Sequence, residues 1–251
     1  MKYNPKVSVI TPYFKESDEV IGRCIESVRT QNYENISHYL VSDGYPNAIL
    51  DSKKLRHIKL DQGHSDVGGT PRSVGGLCAI RDGADIICYL DADNLYTENH
   101  ILNIVESYSS CLETGSDLPD AMFSYRHVFL PGHEKLRMAD YDDLSHNHVD
   151  TNCMALLKGA FFVVPMWSFI PSKYTPIGDV VIFEVMRLYN LRFRWTGSHS
   201  VLYESNYLAH FNQAGISPPL EGLRDNLYVG LNNEDALPVA REIFDYFNRR
   251  L

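Results

Sequence analysis

Two carboxylates one residue apart, Asp91 and Asp93, stand at the end of an apolar run, Ile86-Ile87-Cys88-Tyr89-Leu90. The run is entered from Gly83-Ala84-Asp85 and reads as a buried strand. Ligands of an open α/β sheet bind where strands end at their carboxyl edge, so both acids arrive where a substrate would sit. Acids this close repel each other unless something positive lies beside them. A divalent cation with oxygen ligands, Mg²⁺ or Mn²⁺, is the economical partner, and it brings phosphates with it. Taken alone, the same string also fits a strand followed by an Asp/Asn-rich turn. The choice depends on what else the chain delivers to that edge.

The elements that must position these acids alternate. Residues 6–12 are rich in β-branched side chains and read as a first strand closed by Pro12. Ser17 is a candidate N-cap for a helix whose Val20, Ile21, Cys24, Ile25 and Val28 share one face and which ends near Asn32. Tyr39-Leu40-Val41 then runs into Ser42-Asp43-Gly44, a second strand ending in an acid and a turn. Residues 58–61 give a third, short strand. The loop 63–69 contains glycine but lacks Gly-Lys-Ser/Thr, which argues against P-loop chemistry. A helix over 71–81 has proline in its first turn, and Gly75 and Gly76 permit close packing. After Asp93 a helix opens at 97–100 and ends near Gly115, and 120–130 reads as a strand.

From 133 to 150 the chain is polar and irregular, with three histidines. Residues 153–157 and 161–164 read as short apolar strands, and 192–195 and 200–203 as two closing strands. Gly178-Asp179 opens a helix after the loop 171–176. An irregular stretch holds His210, and an amphipathic helix spans 234–251. That last helix carries Arg241, Arg249 and Arg250 beside Phe244, Tyr246 and Phe247. It could dock on its own core, pair with a second subunit as a homodimer, or lie peripherally on a membrane, with docking the default. The pattern predicts an α/β fold with parallel strands. With no repeat or linker, the simplest parse is one domain over 1–251, regular to about residue 115 and looser beyond.

Bulk properties narrow the function classes. The chain has 251 residues, 44% hydrophobic and 22% charged, as in an ordinary globular protein. A net charge of −9 excludes nonspecific nucleic-acid binding, which needs a basic footprint. The five cysteines are scattered, with no Cys-x-x-Cys pair. They predict reduced, mostly buried thiols rather than a disulfide frame or zinc site. No apolar run is long enough to cross a bilayer, and the N-terminus enters a strand-like run directly. A cytoplasmic protein is expected.

Several motifs agree in order. Val7 to Glu16, with its core Pro12-Tyr13-Phe14-Lys15-Glu16, resembles the first-strand motif of the family 2 glycosyltransferases, with Lys15 where asparagine is usual. Leu40-Val41-Ser42-Asp43-Gly44 is similar to that family's second-strand acid motif, with Ser42 replacing its first acid. Pro71-Arg72-Ser73-Val74-Gly75 resembles its Ala-Arg-Asn-x-Gly helix start, and Asp91-Ala92-Asp93 its Asp-x-Asp motif. These cover roughly the first half of the chain. Beyond it, Gly178-Asp179 and, more weakly, His210 match.

The resemblance implies a GT-A fold, with a Rossmann-like, mostly parallel central sheet flanked by helices. Residues 1–115 would bind the nucleotide-sugar, and the less regular 116–251 the acceptor. It implies that Pro12, Tyr13 and Phe14 cradle the nucleotide base, with Phe14 the stacking ring, and that Glu16 approaches the ribose. Asp43 would accept a hydrogen bond from the base, which suits uracil and favours UDP. Arg72 would face the diphosphate or the base. Asp91 and Ala92 would line the donor site, Asp91 near the ribose or the metal's water shell, and Asp93 would ligate Mn²⁺ or Mg²⁺.

A sugar would pass, with inversion, from a UDP-sugar to the hydroxyl of a saccharide or lipid-linked saccharide, as in surface polysaccharide synthesis. The metal offsets charge on the leaving diphosphate, so only one base is needed. Asp179 is the candidate, although aspartate is also a common helix N-cap; Asp150 is its rival. His210 is a candidate further metal ligand. His146 and His148 could contact acceptor or metal, and Arg224 could fold over the diphosphate. Two other classes compete: a sugar nucleotidyltransferase, disfavoured because 12–16 lack a glycine-rich basic signature, and a non-catalytic nucleotide-sugar-binding protein of the same fold.

Overall fold

The structure is a computed structural model that describes residues 3–52, 55–133, 135–139, 148–219, 222–223, 231 and 233–249. His146, Arg224 and Arg250 lie outside the described residues. The expected α/β fold is what the chain adopts. Strands β1 (Val7–Tyr13), β2 (Ile36–Asp43), β3 (Arg56–Leu60) and β4 (Ile86–Tyr89) run parallel in the order β3-β2-β1-β4. Every residue of β1 and β4 is buried, as expected of strands covered on both faces. One helix, α1 (Asp18–Arg29), starts at Ser17, whose side chain accepts the N–H of Val20. It turns Ile21, Cys24 and Val28 into the core.

The sheet continues through the rest of the chain. Antiparallel β8 (Met154–Leu157) sits between β4 and β6 (Ala121–Phe129), and β9 (Phe193–Glu204) runs parallel to β6. Two-residue strands finish it: β5 (Leu95–Tyr96) pairs with β9, and β7 (Met138–Ala139) with β6. The remaining helices are α2 (Gly69–Arg81), α3 (His100–Thr114), α4 (Gly178–Leu188), α5 (Leu208–Ala214) and α6 (Ala236–Asn248). Val239, Ala240 and Ile243 of α6 are buried, so this helix docks on the protein's own core. None of the five cysteines is in a disulfide, and four are buried.

Two expectations change. The apolar residues 161–164 belong to a run of 3₁₀ turns, Lys158–Phe169, not to a strand. A continuous apolar stretch has no period to separate strand from buried turns, and only the contact with α2 decides. The two closing strands are one twelve-residue β9, whose register against β6 shifts on either side of Tyr125. Pairing with β6 carries the strand through the glycine and small polar residues at its centre.

Helix α2 lies between the sheet and the 3₁₀ run, and its glycines set the spacing. A methyl group on Gly75 would stand 2.6 Å from Cγ2 of Ile10 and 2.8 Å from Cγ2 of Val41. On Gly76 it would stand 2.5 Å from Val164. The neighbours are β-branched and buried, so they cannot swing away. Gly75→Ala is therefore expected to destabilise by about 1–3 kcal/mol despite alanine's better helix propensity. A urea midpoint equal to the wild type would show that α2 can move off the sheet.

Candidate active site

A cleft of about 520 Å³ opens at the carboxyl ends of β1, β2 and β4. Pro12, Tyr13, Phe14, Glu16, Asp43, Arg72, Asp91, Ala92, Asp93 and Asp179 all line it. A neighbouring recess of about 460 Å³ shares Tyr13, Phe14 and Glu16 and adds Lys15, Gly44 and Tyr45. Of the described residues expected at the site from sequence, His210 and His148 are not on the cleft wall. His210 lies in α5, where its Nδ1 shares a 2.6 Å hydrogen bond with Ser205 Oγ. There the ring bridges the start of α5 and the residue that follows β9.

Asp91 is braced from two sides. Arg72 donates to its Oδ1 at 2.5 Å and to the carbonyl of Val67 at 2.7 Å, with its guanidinium 5.1 Å from the Trp167 ring centre. Across the sheet, Asn152 Oδ1 accepts the N–H of Asp91 at 2.6 Å, and Asn152 Nδ2 donates to Asp91 Oδ2 at 3.2 Å. Antiparallel pairing explains the second brace, because the chain entering β8 must pass the end of β4. Arg72 is a buried partner of Asp91, Asp91 is engaged by protein donors, and both side chains line the cleft.

Asp93 is different. It is open to the cleft but ringed by protein on its other sides. That surrounding, followed by Asp91 and then Glu204 and Glu16, pushes its carboxyl up to about 7. Among the described residues no cation bonds it, and no three His, Cys, Asp or Glu side chains form a ready metal cage. The donor chemistry still fits Mg²⁺ or Mn²⁺, which take one or two carboxylates and complete their shell with water and phosphate oxygens. A cation at Asp93 would also relieve the crowding of acids.

At the first two strand ends, much of what the sequence offered to a ligand is used internally. Glu16 accepts the N–H of Phe14 at 2.6 Å, so its carboxylate closes its own turn while lining the cleft. Tyr13 is buried, and its hydroxyl meets His57 Nε2 at 2.7 Å and the N–H of Asn47 at 2.9 Å. Asp43 takes the backbone N–H of His64 on both oxygens, at 3.1 and 3.2 Å, and His64 Nδ1 at 2.7 Å. It therefore holds the loop that follows Gly63 as well as lining the cleft.

Gly44, at φ +83°, makes that approach possible, since a Cβ there would fall 2.3 Å from the backbone N of Gly63. Phe14, by contrast, is 42% exposed and packs edge-on against Tyr45 at 4.6 Å, with Lys15 Nζ 4.2 Å from the Tyr45 ring centre. The loop leading to α2 is strained as well as exposed: Val67, a β-branched residue, has φ +52°.

The far wall carries the remaining acids. Asp150 is buried and paired with Arg126 of β6, and it accepts Asn152 Nδ2 at 2.8 Å. Burial raises its pKa, helped by Asp179 and Asp91 and opposed by Arg126. Asp179, in the first turn of α4, accepts the N–H of Val180 and meets His148 Nε2 at 2.9 Å. Burial opposes its ionisation, but His148 outweighs burial and holds it below the usual carboxylate range. Asp150 is thus committed to an internal pair, and Asp179 is the acid of this wall that faces the cleft from a helix start.

Asn152, Arg126, His64 and Trp167 carry no motif and were not singled out from sequence. The one signal for Asn152 was its place just before a strand that must lie beside β4.

The comparisons agree with this architecture. The model of the family described as Glycosyl transferase family 2 matches residues 8–111. The chain is 26% identical over 109 residues to the succinoglycan biosynthesis protein ExoW of Rhizobium meliloti, covering 41% of this chain and 34% of that protein. It is 25% identical over 145 residues to the uncharacterized glycosyltransferase R139 of Acanthamoeba polyphaga mimivirus, covering 49% of this chain and 58% of that one.

Among solved structures it resembles S. aureus TarS 1–349 in complex with UDP, with a TM-score of 0.58 and 14% identity over 80% of this chain and 61% of that one. The complex of the same protein with UDP-GlcNAc gives a TM-score of 0.56 and 14% identity over 95% of this chain and 65% of that one. The fold is therefore that of the GT-A glycosyltransferases. The chain spans about a third to somewhat under two thirds of the length of these relatives.

Proposed function

We propose that the chain is an inverting glycosyltransferase that moves a sugar from a UDP-sugar to an acceptor hydroxyl, with Asp179 as general base. The carrying observation is that Asp93, crowded by acids, and Asp179, at a helix start, line one cleft at the carboxyl ends of the parallel strands. When bound at Asp93, a divalent cation would offset the charge on the leaving diphosphate. Arg72 and Asn152 hold Asp91, and so the turn that carries Asp93, in a fixed orientation. Asp179 would take the proton of the acceptor hydroxyl. The exposed Phe14–Tyr45 pair would stack the base, with Asp43 keeping the 63–64 loop beside it.

UDP is favoured because solved structures of the same fold are complexes with UDP and UDP-GlcNAc. A saccharide or lipid-linked saccharide acceptor in surface polysaccharide synthesis goes with this reading, since one relative is a succinoglycan biosynthesis protein. Among the described residues no helix is long and apolar enough to cross a membrane. A cytoplasmic enzyme meeting its acceptor at the inner membrane face is part of the proposal.

The test is a thermal-shift panel of nucleotide-sugars with and without Mn²⁺, because a ligand that binds only the folded state raises its stability. UDP and one or more UDP-sugars should raise the Tm in a metal-dependent way. If none does, the transferase reading fails. Phe14→Ala refines the base site. Because Phe14 is exposed, the variant should keep its stability within about 1 kcal/mol and weaken UDP binding about tenfold. Unfolding, or unchanged UDP affinity, would remove Phe14 from that role.

A further inference from the structure

Asp179 does not act alone at the start of α4. Its Oδ2 lies 2.9 Å from Nε2 of His148, while Oδ1 accepts the N–H of Val180 at 2.9 Å. His148 is only 7% exposed. It precedes by two residues Asp150, which pairs with Arg126 of β6, and among the described residues these are the other charged groups facing the pair. Burial disfavours a charged ring here, yet Asp179 outweighs burial and holds His148 above the ordinary imidazole pKa. Asp150 adds to this effect and Arg126 opposes it. With Asp179 ionised, Nε2 must be the donor and Nδ1 the nitrogen that gains or loses a proton.

We propose that His148 is a positioning residue that gates Asp179. With the ring neutral, its Nε2–H aims the carboxylate and leaves it a full base. With the ring protonated at Nδ1, the two form an ion pair whose carboxylate is too weak a base for the acceptor. The proposal rests on the transferase reading above.

In the gated step the acceptor O–H bond breaks and its proton goes to the Asp179 carboxylate. The freed electron pair forms the bond to the anomeric carbon. The bond from that carbon to the diphosphate breaks, and its electrons leave with UDP. The proton on Nε2 does not move. Because His148 has a raised pKa, the ring is neutral only above that raised value, so turnover climbs as pH rises through it. Without an ionisable ring the limb belongs to Asp179 alone and falls by about two units, from the imidazole toward the carboxylate range.

The experiment follows UDP release by hydrolysis of a panel of UDP-hexoses and UDP-N-acetylhexosamines, at saturating donor and Mn²⁺ so that binding equilibria drop out. Wild type, His148→Gln and His148→Ala are compared across pH. Glutamine can present an amide N–H to Asp179 but cannot take a proton, whereas alanine does neither. The wild type should show an acid limb above about 6.5, and His148→Gln a limb about two units lower. At high pH, His148→Gln should turn over more slowly than the wild type but about fivefold faster than His148→Ala, with donor KM alike in all three. In NMR, the His148 ring should titrate above 6.5 and drop in Asp179→Asn.

An unmoved limb in His148→Gln, or a loss equal to that of His148→Ala at every pH, overturns the gate while leaving the transferase intact. Absence of turnover in the wild type together with absence of UDP binding overturns the transferase reading and the gate with it.

Discussion

Asp179→Asn is expected to lower turnover by about a hundredfold or more while UDP affinity in the presence of Mn²⁺ stays near that of the wild type. The substitution keeps the side chain's shape and one of the two oxygens, which can go on accepting the N–H of Val180 while the amide nitrogen faces His148 Nε2, whose ring can take the other tautomer. It removes the ability to take a proton. Transition-state stabilisation is therefore lost while ground-state donor binding, built on other strands, is kept. The measurement is kcat and donor KM for UDP-sugar hydrolysis, beside a UDP titration by calorimetry. Wild-type turnover in the variant would move the base role elsewhere. Asp150 is a poor heir, because it is buried and committed to Arg126 and Asn152.

Asp93→Ala should change binding and stability in opposite senses. UDP affinity in Mn²⁺ should fall about a hundredfold, to the level the wild type shows in EDTA, which corresponds to about 2.7 kcal/mol. Without metal or nucleotide, the variant should melt no lower than the wild type. The reason lies in the neighbours: the cleft walls, Asp91, Glu204 and Glu16 all disfavour the Asp93 carboxylate. Removing a charge that its surroundings oppose relieves the folded state, as expected of a group retained for binding. Calorimetric titration of UDP with and without Mn²⁺ and a melting curve of the apoprotein test both halves. Unchanged metal dependence would remove Asp93 from the cation site.

The amino-acid order alone determined the frame of this molecule. Apolar runs that stop at Pro12, Asp43 and Asp91 mark three of the strands whose carboxyl ends meet at the cleft. Ser17 caps its helix as its type and place predict. These are local signals, because the period of burial and the chemistry of a turn are written within a few residues. That is why ten of the expected site residues converge on one wall or another of the same cleft.

What those residues do once there was decided by partners far along the chain. Asn152 reaches Asp91 across a separation of 61 residues, and His148 reaches Asp179 across 31. Neither pair shares a motif, and neither meets until β8 inserts antiparallel beside β4. Tertiary pairing also turned Arg72 onto Asp91, 19 residues further along. It joined two apparent strands into β9 through the partner β6. Sequence period tells which face of an element is buried but not which side chain will face it, because register and crossing are fixed only when the sheet closes. The Asp-x-Asp turn is legible in the sequence; the division of labour within it, Asp91 braced by protein and Asp93 open to the cleft, exists only in the folded chain.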